Sequence, residues 1–248
     1  MNEIMQGADP FFCKGSDKGV LLLHGFTGSP QSLRGLAEYI AQSGFTVSLP
    51  LLPGHGTKKE DMLNLTYQDW LKAARDELCR LREVCRAVAV GGLSMGGTLT
   101  CDLLIHEPDI KCGFVINPLL EPPDDSVLNL LNSLVESGQR FTLGIGSDIK
   151  KEGASELCYD ATPVKEVLSL IKAASELRNE LLKIKVPICV LVSKEDHVVN
   201  PQSAQTLAQA IGALAELSYL ENSYHVATLD NDAELINDKV LSHLNRWL

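Results

Sequence analysis

Residues 88–100 read VAVGGLSMGGTLT: an apolar β-branched run, two glycines, Ser94 between small and flexible neighbours, two more glycines, then a helix-compatible stretch. The spacing G-x-S-x-G predicts a sharp strand-to-helix turn with Ser94 at its apex. Such a turn strains the serine backbone. Side chains two residues to either side would collide with the adjacent strand and helix, so Gly92 and Gly96 are needed there. The turn lifts the hydroxyl above the C-terminal edge of a sheet, and the helix start beneath it favours developing negative charge. This is the placement of a nucleophile.

A serine hydroxyl is a poor nucleophile at neutral pH and needs a base, with a third group to orient that base. On an elbow of this kind the partners follow in the order serine, carboxylate, histidine. Asp196, in VLVSKEDHVVNP just past an apolar run at 187–193, is the candidate acid. Asp160 and Glu195 compete for the part, Glu195 reading better as a solvated loop charge. Of the six histidines, His24, His55 and His106 precede the acid, His197 adjoins it too closely, and His243 falls on an amphipathic last helix. His225, in ENSYHVATLDND, remains as the candidate base, on a loop at the same edge. An oxyanion hole needs two backbone N–H groups. Met95, directly after the nucleophile, offers one. Phe26 in HGFTGSP offers the other, where Gly25 and Gly28 let the backbone bend close and His24 holds the loop by hydrogen bonds.

Elements must carry these residues to one edge. Strands are expected at 19–24, 45–49, 87–91, 112–116, 187–193 and 216–220, and helices at about 30–43, 67–84, 95–106, 201–211 and 231–247. Ser29 and Asn200 are the expected N-caps, each before a proline suited to a first helical turn. Near-continuous apolar strands alternating with helices predict an α/β fold, a mostly parallel sheet covered on both faces. Residues 119–185 break the alternation, with helical stretches at 126–137 and 163–183. They read as an inserted cap within a single domain, 1–248, that would lie over the site.

Composition narrows the partners. With 45% hydrophobic residues, 248 residues suffice for one large core. A formal net charge of −10 repels phosphate backbones and argues against nucleic acid. The seven cysteines show no C-x-x-C pair, so a zinc site is not expected, and a reduced, cytoplasmic setting fits best. No N-terminal apolar segment reads as a signal peptide, and no run is long enough to span a membrane.

Taken together, LLLHGFTGSPQSLRGLAEYIAQSGFTV, LPGHGT (52–57), GLSMGGTLT, GSDIK (146–150), KEDHVVNP and NSYHVATLD resemble motifs of the bacterial carboxylesterase and monoacylglycerol lipase group of α/β-hydrolases. The resemblance runs over essentially the whole chain. It implies Ser94, Asp196 and His225 as a triad, Phe26 and Met95 as oxyanion donors, and no metal or organic cofactor. It also implies a small helical cap shaping an acyl tunnel, with Asn117, Ile145 and Glu156 as substrate-binding residues. The expected activity is ester hydrolysis through an acyl-enzyme, on monoacylglycerols or medium-chain acyl esters. A short-chain or cinnamoyl-type esterase is the alternative within the class, and a non-catalytic binding protein on the same fold the alternative outside it. Residues 119–143 match no pattern firmly, which leaves the acyl-chain preference open. Their leucine-rich faces are candidates for a homodimer contact or a lipid interface.

Overall fold

Strands buried on both faces send alternate residues to opposite sides, and the central strands of this sheet do so. The computed structural model describes residues 3–144 and 146–248; Ile145 lies outside the described residues. In chain order the strands are β1 (Phe11–Cys13), β2 (Lys18–Leu23), β3 (Thr46–Leu49), β4 (Ala87–Leu93), β5 (Cys112–Ile116), β6 (Phe141–Leu143), β7 (Ala161–Pro163), β8 (Ile188–Ser193) and β9 (Ala215–Leu220). Seven of them form the main sheet in the order β1-β3-β2-β4-β5-β8-β9. All its pairings are parallel except the edge pair β1–β3. Leu21, Leu23, Val88, Val90, Val115, Val190 and Val192 feed one apolar cluster. Val20, Leu22, Ala89, Phe114, Ile116, Cys189 and Leu191 feed the other.

The helices are α1 (Arg34–Gln42), α2 (Tyr67–Val84), α3 (Met95–His106), α4 (Asp125–Glu136), α5 (Val164–Arg178), α6 (Gln202–Ile211) and α7 (Ala233–Trp247). Helices α1 and α7 cover the second face, through Leu36, Ile40, Ile236, Val240 and Leu244. Helices α2, α3 and α6 cover the first, through Trp70, Leu78, Leu99, Leu103 and Leu207. Pro201 stands at the N-cap of α6, and Asn200 just before it accepts at Oδ1 from Gln202 N at 3.0 Å. Ser29 does not cap: a 3₁₀ turn, Pro30–Leu33, precedes α1, and the Ser29 hydroxyl is buried with no side-chain cap bond. No described helix is long and apolar enough to cross a membrane.

Three features depart from the expectation. Strand β1 has only three residues, two of them half-exposed, and gives no apolar run to read. Strand β4 continues through both glycines to Leu93, because they stay paired with β2 and β5; the ring of Phe114 and the start of α3 occupy the space where their side chains would stand. The third concerns residues 119–185. They hold α4 and the β6–β7 hairpin, but α5 also packs on the core: its Leu170 and Leu177, with Leu181 and Ile184 just after it, join the first apolar cluster. A parallel connection from β5 to its neighbour β8 needs a crossover helix, and α5 is that helix.

Candidate active site

Ser94 terminates β4 with φ 56° and ψ −117°, a conformation costly for a residue with a Cβ. The glycines around it make this corner possible. A Cβ on Gly96 would lie 1.8 Å from the carbonyl oxygen of Leu23 in β2, and one on Gly92 would lie 2.3 Å from the backbone of Gly96. Ser94 N donates to Ile116 O at 3.0 Å and Ser94 O accepts from Gly97 N at 2.9 Å, which fixes the corner between β5 and α3. Thr27 (φ 61°) after β2 and Asn117 (φ 45°) after β5 also adopt left-handed backbone. Three neighbouring strand ends therefore carry strained residues around one spot, as functional corners do.

The loops after β8 and β9 bring Asp196 and His225 together. His225 Nδ1 donates to Asp196 Oδ2 at 2.8 Å, with side chains 8% and 1% exposed. The other carboxylate oxygen of Asp196 accepts from Val198 N and Val199 N, both at 2.8 Å, which holds the carboxylate in place. His225 and Ser94 line the same small cavity. Burial pulls the His225 pKa down, but the charge and hydrogen bond of Asp196, helped by Glu156 and Asp148, carry it above its ordinary value. The competing acids are elsewhere: Asp160 is exposed on Lys59 at 2.9 Å, and Glu195 pairs with Lys150 at 3.0 Å.

The turn after β2 lies against the serine. A Cβ on Gly25 would stand 3.5 Å from Ser94 Cβ, and Phe26 lines both cavities that Ser94 lines. His24 holds this turn from beneath, donating from Nδ1 to Gly25 O at 2.9 Å and accepting at Nε2 from Leu52 N at 3.1 Å. Phe26 rests edge-on against His55 and Trp70, with ring centroids 6.3 and 5.5 Å away. Burial lowers His24 to about 3 and His55 to about 4, so both stay neutral and serve as struts. Met95 begins α3, fully buried.

The remaining candidates separate. Glu156 lines the small cavity with Ser94 and His225. Its Oε1 lies 2.6 Å from where a Cβ on Gly28 would stand. Burial raises its carboxyl to about 7, against a downward pull from His225. Gln31 straps the segment that carries it, accepting from Leu157 N at 3.0 Å and donating to Ser155 O at 3.2 Å. Asn117 sits behind the site instead. Its Nδ2 donates to Ser193 Oγ at 3.0 Å and to His225 O at 2.8 Å, and its Oδ1 accepts from Ser193 N at 2.7 Å. The amide ties the end of β8 to the base loop, and both of its donors are used. Asp148, which motif order did not single out, lines the large cavity with His197. It stands in the GSDIK motif, but its partners lie 49 and 77 positions away, so the motif does not show what it binds.

The chain is 42% identical over 242 residues to a protein of Bacillus sp. (strain H-257) described as a thermostable monoacylglycerol lipase, covering 96% of this chain and 94% of that one. It is 28% identical over 239 residues to a carboxylesterase of Bacillus subtilis (strain 168), covering 96% of each. A solved structure from work on LipS and LipT, two metagenome-derived lipolytic enzymes, superposes with a TM-score of 0.93 at 40% identity, over 98% of this chain and all of that one. The family model described as "Serine aminopeptidase, S33" matches residues 15–232. That span takes in every strand from β2 to β9 and all three loops that meet at Ser94, and by it the chain belongs to this family of α/β-hydrolases.

Proposed function

We propose that this serine ester hydrolase cleaves monoacylglycerols or medium-chain acyl esters through an acyl-enzyme on Ser94. The observation that carries the reading is that Ser94 opens onto two unequal cavities. One, of about 410 Å³, is lined mainly by apolar side chains including Leu119, Val127, Leu131, Val167, Leu170 and Ile171. The other, of about 40 Å³, carries Glu156 and His225. An acyl chain suits the first and a small hydroxylated leaving group the second. Residues 119–163 act as the cap over the large cavity. The 42% identity to the monoacylglycerol lipase supports the same substrate.

In the mechanism, His225 takes the proton of Ser94 as its oxygen attacks the ester carbonyl. Asp196 holds the imidazole in the Nδ1–H tautomer and stabilises the cation that forms. The N–H groups of Phe26 and Met95 receive the oxyanion. His225 then gives the proton to the leaving glycerol oxygen. Water repeats the sequence and frees the acid. Removing one oxyanion donor from such a site typically costs about 3–4 kcal/mol.

His225 must be neutral to act as base, and its pKa is raised. The expected kcat/KM profile therefore climbs with pH through an acid limb above 6.5, the ordinary histidine value. A limb below that value in purified protein would contradict the assignment of the base.

The substrate test is a hydrolysis series: p-nitrophenyl esters of two to sixteen carbons, monoacylglycerol, diacylglycerol, methyl ferulate, and an aminoacyl anilide for amide cleavage. The expected result is a medium- or long-chain optimum, monoacylglycerol cleaved and diacylglycerol spared. A short-chain or ferulate optimum with monoacylglycerol ignored would support the carboxylesterase alternative. Within the series, Glu156→Leu is expected to cut kcat/KM on monoacylglycerol about tenfold, the worth of one hydrogen bond. Turnover of p-nitrophenyl esters should change little. Equal losses on both substrates would remove Glu156 from glycerol recognition.

A further inference from the structure

Resting on the reading of His225 as general base, we propose that Asp148, supplied by the segment between β5 and β8, is the positioning residue for that base. It seats the backbone of His225 and ties that seat to the acid loop.

His225 lies on a loop, so its ring direction depends on what grips its backbone. The carbonyl is gripped by Asn117 Nδ2 at 2.8 Å. The N–H is gripped by Asp148 Oδ2 at 3.0 Å, and the next N–H, of Val226, donates to the Asp148 carbonyl at 3.0 Å. Two consecutive donors of the base loop thus end on one residue. The same carboxylate reaches the acid loop, accepting from His197 N at 3.2 Å and from His197 Nδ1 at 2.9 Å. Its side chain is 15% exposed, so these bonds are screened little by water.

The attachment is reciprocal. From the base loop, Asp230 accepts from Lys150 N at 2.7 Å, Lys151 N at 2.9 Å and Tyr224 N at 2.8 Å. Residues 148–151 are therefore bolted down from both sides. If the Asp148 carboxylate is removed, the His225 N–H loses its acceptor, while the Asp230 bonds keep the segment folded. The carboxylates that act on His225 are Asp196 from the acid loop and Asp148 and Glu156 from the insertion. The cation-forming groups nearby are His197, which binds the Asp148 carboxylate itself, and Lys150, which pairs with Glu195.

Asp148→Ala and Asp148→Asn test this against wild type. Rates on a p-nitrophenyl ester would be read with the acid limb of kcat/KM, the low-field proton resonance of the His225–Asp196 hydrogen bond, thermal unfolding and fluorophosphonate labelling. The expected alanine variant loses on the order of 10- to 100-fold in kcat, the scale of a misplaced catalytic group. Its KM stays near the wild-type value and its low-field resonance shifts or broadens. Asparagine keeps an acceptor for His225 N without the charge. It should recover most of kcat while its acid limb moves to lower pH. If alanine fails to fold, the asparagine variant and its limb decide alone. Wild-type kcat and resonance in the alanine variant would overturn the proposal. So would a loss shared with KM that asparagine does not repair, which marks a purely structural role. Wild-type protein that neither turns over esters nor takes the label would sink the ester-hydrolase reading, and this role of Asp148 with it.

Discussion

Ser94→Ala is expected to lower kcat on p-nitrophenyl esters by about 10⁶-fold, the cost of removing the nucleophile from a site of this kind. Thermal unfolding should hardly move. The serine makes no side-chain cap bond to α3, and its backbone strain is common to serine and alanine, since both carry a Cβ. Asp196→Asn should cost about 10⁴-fold, because the amide favours the wrong imidazole tautomer. The two effects should not add, since the residues act as a unit. Residual hydrolysis then reflects binding and the oxyanion donors alone. An alanine variant within an order of magnitude of wild type would end the acyl-enzyme mechanism, whatever the substrate.

Gly96→Ala should remove the fold's capacity to form the elbow at all. Its Cβ would stand 1.8 Å from Leu23 O and 2.9 Å from His24 O, both backbone atoms of the strand and turn that carry the oxyanion loop. No rotamer change relieves a clash with backbone. Either β2 or α3 must move, and each is fully buried near the contact. The expected cost exceeds about 4 kcal/mol, a large fraction of the roughly 5–15 kcal/mol that holds a domain folded. Gly35→Ala is the control. Position 35 lies in α1 with nothing within 4 Å of a new Cβ. Alanine there should stabilise by about 0.5–1 kcal/mol. Unfolding curves that move alike for the two variants would refute the packing account of the motif.

That contrast shows why part of the site is readable from sequence. The elbow's residues are contiguous: Gly92 and Gly96 flank Ser94 in a five-residue pattern, so the motif displays them even though the atom that Gly96 must clear is Leu23 O in β2. Asp196 and His225 are readable by order and by the strands before them, and the structure brings their side chains to 2.8 Å. The mostly parallel character of the sheet is likewise readable from apolar strands between helices, though its strand order is not. What sequence hides is long-range polar pairing. Asn117 is plainly a strand-end residue, yet nothing near it shows that its amide serves Ser193 and His225, 76 and 108 positions on. Asp148 hides for the same reason. The helical character of α5 is legible in its apolar spacing. Its allegiance is not, because only the pairing of β5 with β8 makes it a crossover.

That double allegiance of α5 shapes how the protein can change. Val167, Leu170 and Ile171 line the large cavity, and Leu170 also packs the core beneath. Selection for a longer or shorter acyl chain through Leu170 would trade directly against folding. Residues Val127 and Leu143 line the same cavity from α4 and β6 and are 43% and 90% exposed. Mutations there meet little of the fold. Divergence in substrate range within this architecture should therefore travel through α4 and the hairpin first, while α5 and the Asp148 bolt pass unchanged from one specificity to the next.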